Sequence, residues 1–202
     1  IALVTVGGVN VGTTSIAPVA PATIVAGHLL VLVMASKYVA QVPTTPAGWT
    51  AWGSGGLGGH VTDGNADEGH PLVTVFYKIA DGSEASATIT VKITTGDSAI
   101  GFVSNYSATA TPIIGAFTEG GDSTGGSAFT IVMTSDPGII SGDMVLACAA
   151  ANTNAYAFTE SISATGLTYN SLAERKDSGT SNGTHCRVIC LEAQPTGVSA
   201  GD

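Results

Sequence analysis

Residues 26–36 read AGHLLVLVMAS, and this stretch decides the fold. Its apolar run, residues 29–35, has the length of one β-strand and follows a glycine that favours a turn. A strand without polar residues at alternate positions is covered on both faces, so the run predicts a buried strand. The run is far shorter than the ~18 apolar residues that a membrane-spanning helix requires.

Strand-like segments continue along the chain as short runs rich in Val, Ile, Thr and aromatic residues, separated by turn-forming residues. No window of ten or more residues has a helical period, so the sequence predicts an all-β protein. Residues 72–79 alternate imperfectly, which favours a central strand, whereas residues 87–93 alternate regularly and place Ile89, Val91 and Ile93 inside. The predicted strands are residues 2–6, 29–36, 72–80, 87–93, 100–106, 129–134, 144–150 and 185–192.

Three segments of the first half of the chain recur, in the same order, in the second half. The outer two recur at one constant distance of 115 positions, as Gly27 with Gly142 and Gly82 with Gly197 show. The pairs are IVAGHLLVL 24–32 with IISGDMVLA 139–147, PAGWT 46–50 with ATGLT 164–168, and FYKIADG 76–82 with LEAQPTG 191–197. A shared order and a shared distance indicate a duplicated unit.

The repeat predicts two related antiparallel β-sandwich units of the jelly-roll or immunoglobulin-like type, residues 1–110 and residues 111–202. After Gly82 the first unit continues with the strands at 87–93 and 100–106, whereas residues 198–202 are too few for their counterparts. The second unit is therefore expected to be incomplete, with its last strands supplied by a continuation of the chain or by another chain. An incomplete sheet exposes unpaired backbone groups that accept an added strand.

The low charge of the chain narrows the classes of function. Charged residues make up 10% of the sequence and the formal net charge is −9, whereas about 25% charged residues is usual. Binding to nucleic acid or to an anionic membrane surface requires clustered cations. The sequence has one adjacent cationic pair, Arg175 and Lys176, so we expect neither partner. A hydroxyl-rich surface is typical of extracellular fibres, adhesins and virion proteins.

Three matches to catalytic or cofactor motifs lack the context that their chemistry needs. GSGGLG 53–58 matches a dinucleotide fingerprint, but no helical sequence follows it. GDSTG 121–125 and GTSNG 179–183 match G-x-S-x-G, but a nucleophile elbow requires a turn from strand to helix. His60 and His70 lie in glycine-rich sequence that cannot hold an imidazole rigidly. We therefore expect no enzymatic activity, no catalytic residue and no cofactor.

Two weaker candidates for ligand binding remain. Asp63, Asn65 and Asp67 resemble the first half of a calcium loop, because alternating oxygen ligands suit a hard cation. The sixth-position glycine and twelfth-position glutamate of such a loop are missing, which favours a solvated acidic loop instead. Trp49 and Trp52 are candidates for stacking on a sugar, with core packing as the alternative, but on a strand they face opposite ways.

The cysteines Cys148, Cys186 and Cys190 argue against a disulfide framework because their number is odd. Cys186 and Cys190 are four residues apart on a predicted strand, which puts both side chains on one face about 13 Å apart. That separation is too large for a disulfide. The sequence therefore predicts buried thiols.

The first half of the chain resembles a β-sandwich module of tailed-bacteriophage virion proteins. The likeness rests on the opening residues 1–15, on AGHLLVLVMAS 26–36, on PAGWT 46–50 and on VFYKIADGSE 75–84, and it is weaker over residues 111–202. The module usually reads A-G-D-L-L-V; His28 replaces the acid in the first copy and Asp143 keeps it in the second. The resemblance implies a structural role and no catalytic residues.

These observations together predict a non-enzymatic virion structural protein on the virion surface, most simply a capsid decoration, cement or fibre subunit. Its expected partners are sister subunits, for which a homotrimer would fit capsid symmetry, and the major capsid protein or another virion protein. A self-assembling extracellular fibre subunit is one alternative. A glycan- or receptor-binding β-sandwich module is the other, and an exposed aromatic side chain in residues 48–59 would favour it.

Overall fold

The computed structural model describes residues 1–37, 43–52, 72–93, 98–115, 143–151, 168–169, 173–180 and 186–196. Within these ranges the regular elements are β-strands, their pairs are antiparallel, and no helix is long and apolar enough to cross a membrane. The all-β prediction is confirmed for this part of the chain. The strands are β1 Ala2–Val6, β2 Asn10–Gly12, β3 Ser15–Ile16, β4 Leu29–Lys37, β5 Thr50–Ala51, β6 Leu72–Ile79, β7 Val91–Lys92, β8 Ser98–Ser107, β9 Val145–Ala151, β10 Thr168–Tyr169, β11 Ala173–Thr180, β12 Cys186–Ala193 and β13 Pro195–Thr196.

A six-stranded sheet forms the centre of the described structure. Its strand order is β1-β8-β4-β6-β5, and β2 also pairs with β8. β4 lies between β8 and β6, and every residue of β4 is buried. β6 has a neighbour on both sides, which confirms the prediction that it is central. A three-stranded sheet, β11-β12-β9, and the pairs β3-β7 and β10-β13 accompany this central sheet.

One face of the central sheet is covered by the β3-β7 pair and the segments beside it. Leu30, Leu32 and Met34 of β4 point to this face, as does Phe76 of β6, and all four are fully buried. The apolar side chains packed around them from the covering layer are Ile16, Ala20, Ile24, Ile89, Val91 and Ile93. Ile89, Val91 and Ile93 therefore face inward as their alternation predicted.

The strand expected at residues 87–93 is regular only over β7. Its neighbour in space contains Pro18 and Pro21, and proline has no backbone N–H to donate. The carbonyl oxygens of both prolines still accept backbone hydrogen bonds. Ile89 N donates to Pro18 O over 2.9 Å, and Ser86 N donates to Pro21 O over 3.1 Å. The ladder is therefore interrupted although the inward and outward faces of the segment are those of a strand.

The opposite face of the central sheet is covered by the three-stranded sheet. β12 contacts both β4 and β8, and β9 contacts β4 and β6. The side chains that meet are, from the central sheet, Leu29, Val31, Val33, Ala35, Val73, Val75, Ile100, Phe102 and Tyr106, and from the three-stranded sheet Met144, Leu146, Cys148, Ala150, Val188 and Cys190. Two sheets thus share one apolar layer, as in sandwich packing.

The strand pairing reproduces the internal repeat. In the β4-β6 pair, Val33 lies opposite Val75. The residues 115 positions later, Cys148 and Cys190, lie opposite each other in the β9-β12 pair. The same correspondence holds along the whole ladder, so the second strand pair has the register of the first. The two pairs also present equivalent positions to each other across the shared layer, since Val31 corresponds to Leu146 and Val73 to Val188.

A turn before β4 sets where the central strand begins. Gly27 has φ +88°, a left-handed conformation that glycine adopts without strain. Its N–H donates to Ala80 O over 2.9 Å, and Ala80 N donates to His28 O over 2.8 Å, which joins the start of β4 to the end of β6. His28 Nδ1 also lies 2.9 Å from Oδ1 of the buried Asn105 on β8. The predicted turn glycine is confirmed.

Because β3 lies close to β8, we expect the substitution Gly101→Ala to destabilise the folded protein. A Cβ at Gly101 would lie 2.5 Å from Ile16 Cδ1 and 3.0 Å from both Met34 Cβ and Val33 O. Ile16 could rotate, but the contacts with β4 cannot relax without moving the sheet. We expect the substitution to lower the free energy of unfolding by about 1–3 kcal/mol, measured by urea denaturation.

Gly8→Ala is the matched control, because a Cβ there meets nothing within 4 Å. The control should change the unfolding free energy by less than about 0.5 kcal/mol. Equal effects of the two substitutions would contradict the packing of Ile16 against the central sheet.

Candidate functional site

The structure places only some of the residues that the sequence singled out. Asp63, Asn65 and Asp67 lie outside the described residues, as do His60 and His70. The cation site therefore stays a prediction. Within the described ranges, no group of three or more His, Cys, Asp or Glu side chains could hold a metal ion.

Trp49 and Trp52 flank β5 and are both half-buried, on opposite faces of the central sheet. Trp49 packs against the layer that contains Leu32, and Trp52 packs against the layer that contains Val31. The Trp52 ring meets the Tyr77 ring edge to face, with 6.0 Å between centroids. The two indoles therefore do not share a surface, which agrees with their opposite directions on a strand.

A cluster of charged side chains joins the end of β6 to the turn that follows it. Lys78 Nζ lies 2.6 Å from Glu84 Oε1 and 3.6 Å from Asp81 Oδ2. The Glu84 carboxylate also accepts hydrogen bonds from the backbone N–H groups of Asp81 and Gly82, over 3.2 and 3.1 Å. Because Glu84 is only 6% exposed, these donors replace the water that its charge has lost.

The ionisation of Glu84 follows from this geometry. Burial raises its pKa and is the largest single influence, but Lys78 and the turn amides together outweigh burial and hold the pKa below its usual value of 4.5. The hydrogen bond to Glu84 is also the main reason that the pKa of Lys78 is raised. Both groups are therefore charged at neutral pH and tie the turn to the sheet.

Glu84→Gln should lower the free energy of unfolding at pH 7 by about 1–3 kcal/mol, because a charge-assisted hydrogen bond is lost inside the protein. The folded-state pKa of Glu84 is depressed, so its stabilising effect is present above the ordinary pKa and is lost as pH falls through the folded-state value. Thermal melting between pH 7 and pH 3 measures this dependence, and the variant should show a weaker one.

Asp81→Asn is the comparison, because the Asp81 side chain is 63% exposed and its contact with Lys78 is screened by water. Its effect should be smaller than that of Glu84→Gln. A Glu84→Gln protein as stable as the parent at pH 7 would show that the cluster does not hold the turn.

Among the strands that the structure describes, the second copy of the repeated strand pair has β9 at its edge. β4 pairs with both β6 and β8, but its counterpart β9 pairs with β12 alone among the described strands. The place beside β9 that corresponds to β8 is thus unfilled in the part of the chain that the structure describes. The division into two units and the incompleteness of the second stay predictions.

The two edges of the three-stranded sheet differ in chemistry. β9 reads VLACAAA and has no charged residue and no proline. β11, at the other edge, reads AERKDSGT and has four consecutive charged residues, Glu174 to Asp177. Charges on an edge strand oppose pairing with another sheet, whereas a long uncharged edge is a template for it. Of the two edges among the described strands, β9 is therefore the one whose composition favours pairing with a further strand.

Polar side chains occur inside the layer between the two sheets, beside β9. Cys148 Sγ lies 3.5 Å from Cys190 Sγ, and both cysteines and Glu192 lie near Tyr106. Burial raises the pKa of the Tyr106 phenol far above its usual value, and the neighbouring side chains of Cys190, Glu192 and Cys148 add to the rise. The Tyr106 hydroxyl is therefore protonated at any physiological pH.

Sequence reasoning missed the opposition of Cys148 and Cys190, although a signal for it was present. The repeat places Cys148 at the position of Val33 and Cys190 at the position of Val75. Once Val33 and Val75 are paired across β4 and β6, the two cysteines follow as a pair. The prediction that Cys190 is buried is confirmed.

Comparison of the chain with known protein families, curated protein sequences and solved structures found no match. The resemblance to phage virion modules therefore stays a prediction. The chain's own strand edges and side chains are the basis for assigning a role.

Proposed function

We propose that the chain is a non-enzymatic structural subunit of a virion, a capsid decoration or fibre subunit, that joins a sister subunit through the β9 edge. The observation that carries the proposal is the uncharged β9 edge, at the place where the first copy of the repeat has β8. The low charge of the chain and its resemblance to phage virion modules support the virion setting.

The occupant of the β9 edge is a strand of a second copy of this chain. β9 consists of small and aliphatic residues, so another strand can approach its backbone without burying a charge. The backbone supplies the N–H and C=O groups that a new ladder needs, and this is the mode of strand addition. Copies of one chain assemble most readily about a closed symmetry axis, which gives a dimer or a small ring.

The side of the three-stranded sheet that faces away from the central sheet fits the same role. Val145, Ala147 and Ala149 take the positions of Leu30, Leu32 and Met34 in the repeat and are only half-buried. The residues opposite them on β12 are buried, so the exposed part of this face lies along β9. In the first copy those positions are fully buried under the β3-β7 layer. A neighbouring subunit that adds a strand beside β9 would also cover part of this surface and bury further apolar area.

The variant Ala147→Lys/Ala149→Lys tests the assembly role. Two lysines on β9 place like charges on an edge that would otherwise be uncharged, which opposes pairing. Size exclusion coupled to light scattering measures the molar mass. We expect the parent protein to have the mass of an oligomer, and the ratio of this mass to that of one chain gives the number of subunits. The double variant should shift to the monomer at the same concentration while keeping its melting transition.

Asp177→Lys is the matched control, because Asp177 lies opposite Ile189, which in turn lies opposite Ala149. The lysine is therefore added on the same face of the sheet, but to the strand that is already charged, β11. This variant should remain an oligomer. A parent protein that is monomeric at every concentration, or a double variant that stays associated, would overturn the role of β9.

Electron microscopy of the native assembly tests the virion setting separately. Antibody-labelled protein should lie on the surface of phage particles, on the shell or on an appendage. Isolated filaments without capsids would instead support the alternative of an extracellular fibre, in which the β9 edge keeps its role and the virion setting is wrong.

A further inference from the structure

Cys148 and Cys190 are cross-strand neighbours in the second strand pair. They lie directly opposite each other in the register of β9 and β12, with their sulfur atoms 3.5 Å apart. Directly opposite residues of an antiparallel pair have Cα atoms about 4.5–5.5 Å apart. That distance lies inside the range of about 4.4–6.8 Å that disulfides span. The two thiols can therefore bond after small side-chain rotations.

The two thiols differ in exposure. Cys190 is fully buried in the layer between the two sheets, whereas Cys148 on the edge strand is half-buried. A small reagent therefore reaches Cys148 first. Cys190 then lies within reach of whatever forms on the Cys148 sulfur, because the two sulfur atoms already touch.

We propose that Cys148 and Cys190 form an oxidisable thiol pair that closes into a disulfide joining β9 to β12. The inference does not depend on the assembly role, because it concerns a bond inside one chain. Its oxidant is a small-molecule disulfide of the glutathione class. The bond fastens the edge strand to its neighbour without changing the register of the sheet.

The reaction proceeds by two thiol–disulfide exchanges. The Cys148 thiol gives its proton to water, and its thiolate attacks one sulfur of the oxidant. A mixed disulfide forms, and one small thiolate leaves and takes up a proton. The Cys190 thiolate, formed in the same way, then attacks Cys148 Sγ and releases the second small thiol. The protein loses two protons and two electrons, and the oxidant gains both.

The experiment uses the full chain carrying Cys186→Ser, so that Cys148 and Cys190 are the only cysteines. The folded protein is incubated with oxidised glutathione, quenched with acid and analysed by intact mass and peptide mapping. We expect loss of both titratable thiols and a single peptide link between Cys148 and Cys190. The melting temperature should rise by roughly 5–10 °C on oxidation and return to its starting value on reduction.

Two further variants in the same background identify the order of events. Cys190→Ser should accumulate one glutathione on Cys148, because no partner thiol resolves the mixed disulfide. Cys148→Ser should leave Cys190 unmodified at least ten times longer, since that thiol is fully buried. Both variants should show the parental melting transition in the reduced state, which separates a redox effect from misfolding.

Three outcomes would overturn the inference. The first is a folded protein that keeps both thiols under conditions that oxidise a model dithiol. The second is a stable mixed disulfide on Cys148 with Cys190 still present as its partner. The third is a link between two chains in place of the link within one chain.

Discussion

The requirement that both faces of β4 be covered determines the arrangement of the described structure. β4 is apolar along almost its whole length and each of its residues is buried. Two flanking strands satisfy its backbone, but only other layers can cover its side chains. The β3-β7 layer covers one face and the three-stranded sheet covers the other. The central sheet is thus the middle layer of three.

Much of this arrangement could be predicted from the amino-acid sequence alone, because a run of apolar residues indicates a buried segment. The run at residues 29–35 predicted β4, and the regular alternation at residues 87–93 predicted which side chains point inward. The distance of 115 positions predicted a second strand pair, and the pairing of Cys148 with Cys190 reproduces that of Val33 with Val75.

The parts that sequence reasoning missed have physical reasons. β11 is an edge strand with four consecutive charged residues, so it lacks the apolar pattern that identifies a strand. β7 is shorter than its alternation suggests because prolines in the neighbouring segment interrupt the ladder. The contact of two sheets through equivalent faces depends on tertiary packing, which no local pattern encodes.

The two copies of the strand pair have diverged in side-chain size. Leu30, Leu32 and Met34 fill the interior of the first copy, whereas their counterparts in β9 are Val145, Ala147 and Ala149. Each replacement by a smaller side chain reduces the apolar area that the second sheet can bury by itself. On this face of the second sheet, the larger buried side chains therefore come from β12, as Ile189 and Leu191 show.

In the assembly that we propose, the difference between the charged β11 and the uncharged β9 would limit the number of subunits that one sheet can join. When two copies pair through β9, the combined sheet has β11 at both of its outer ends, and the charges there oppose any further strand. Growth in the plane of the sheet is then self-terminating. The proposed pairing would in this way give a particle of defined size and not an open-ended aggregate.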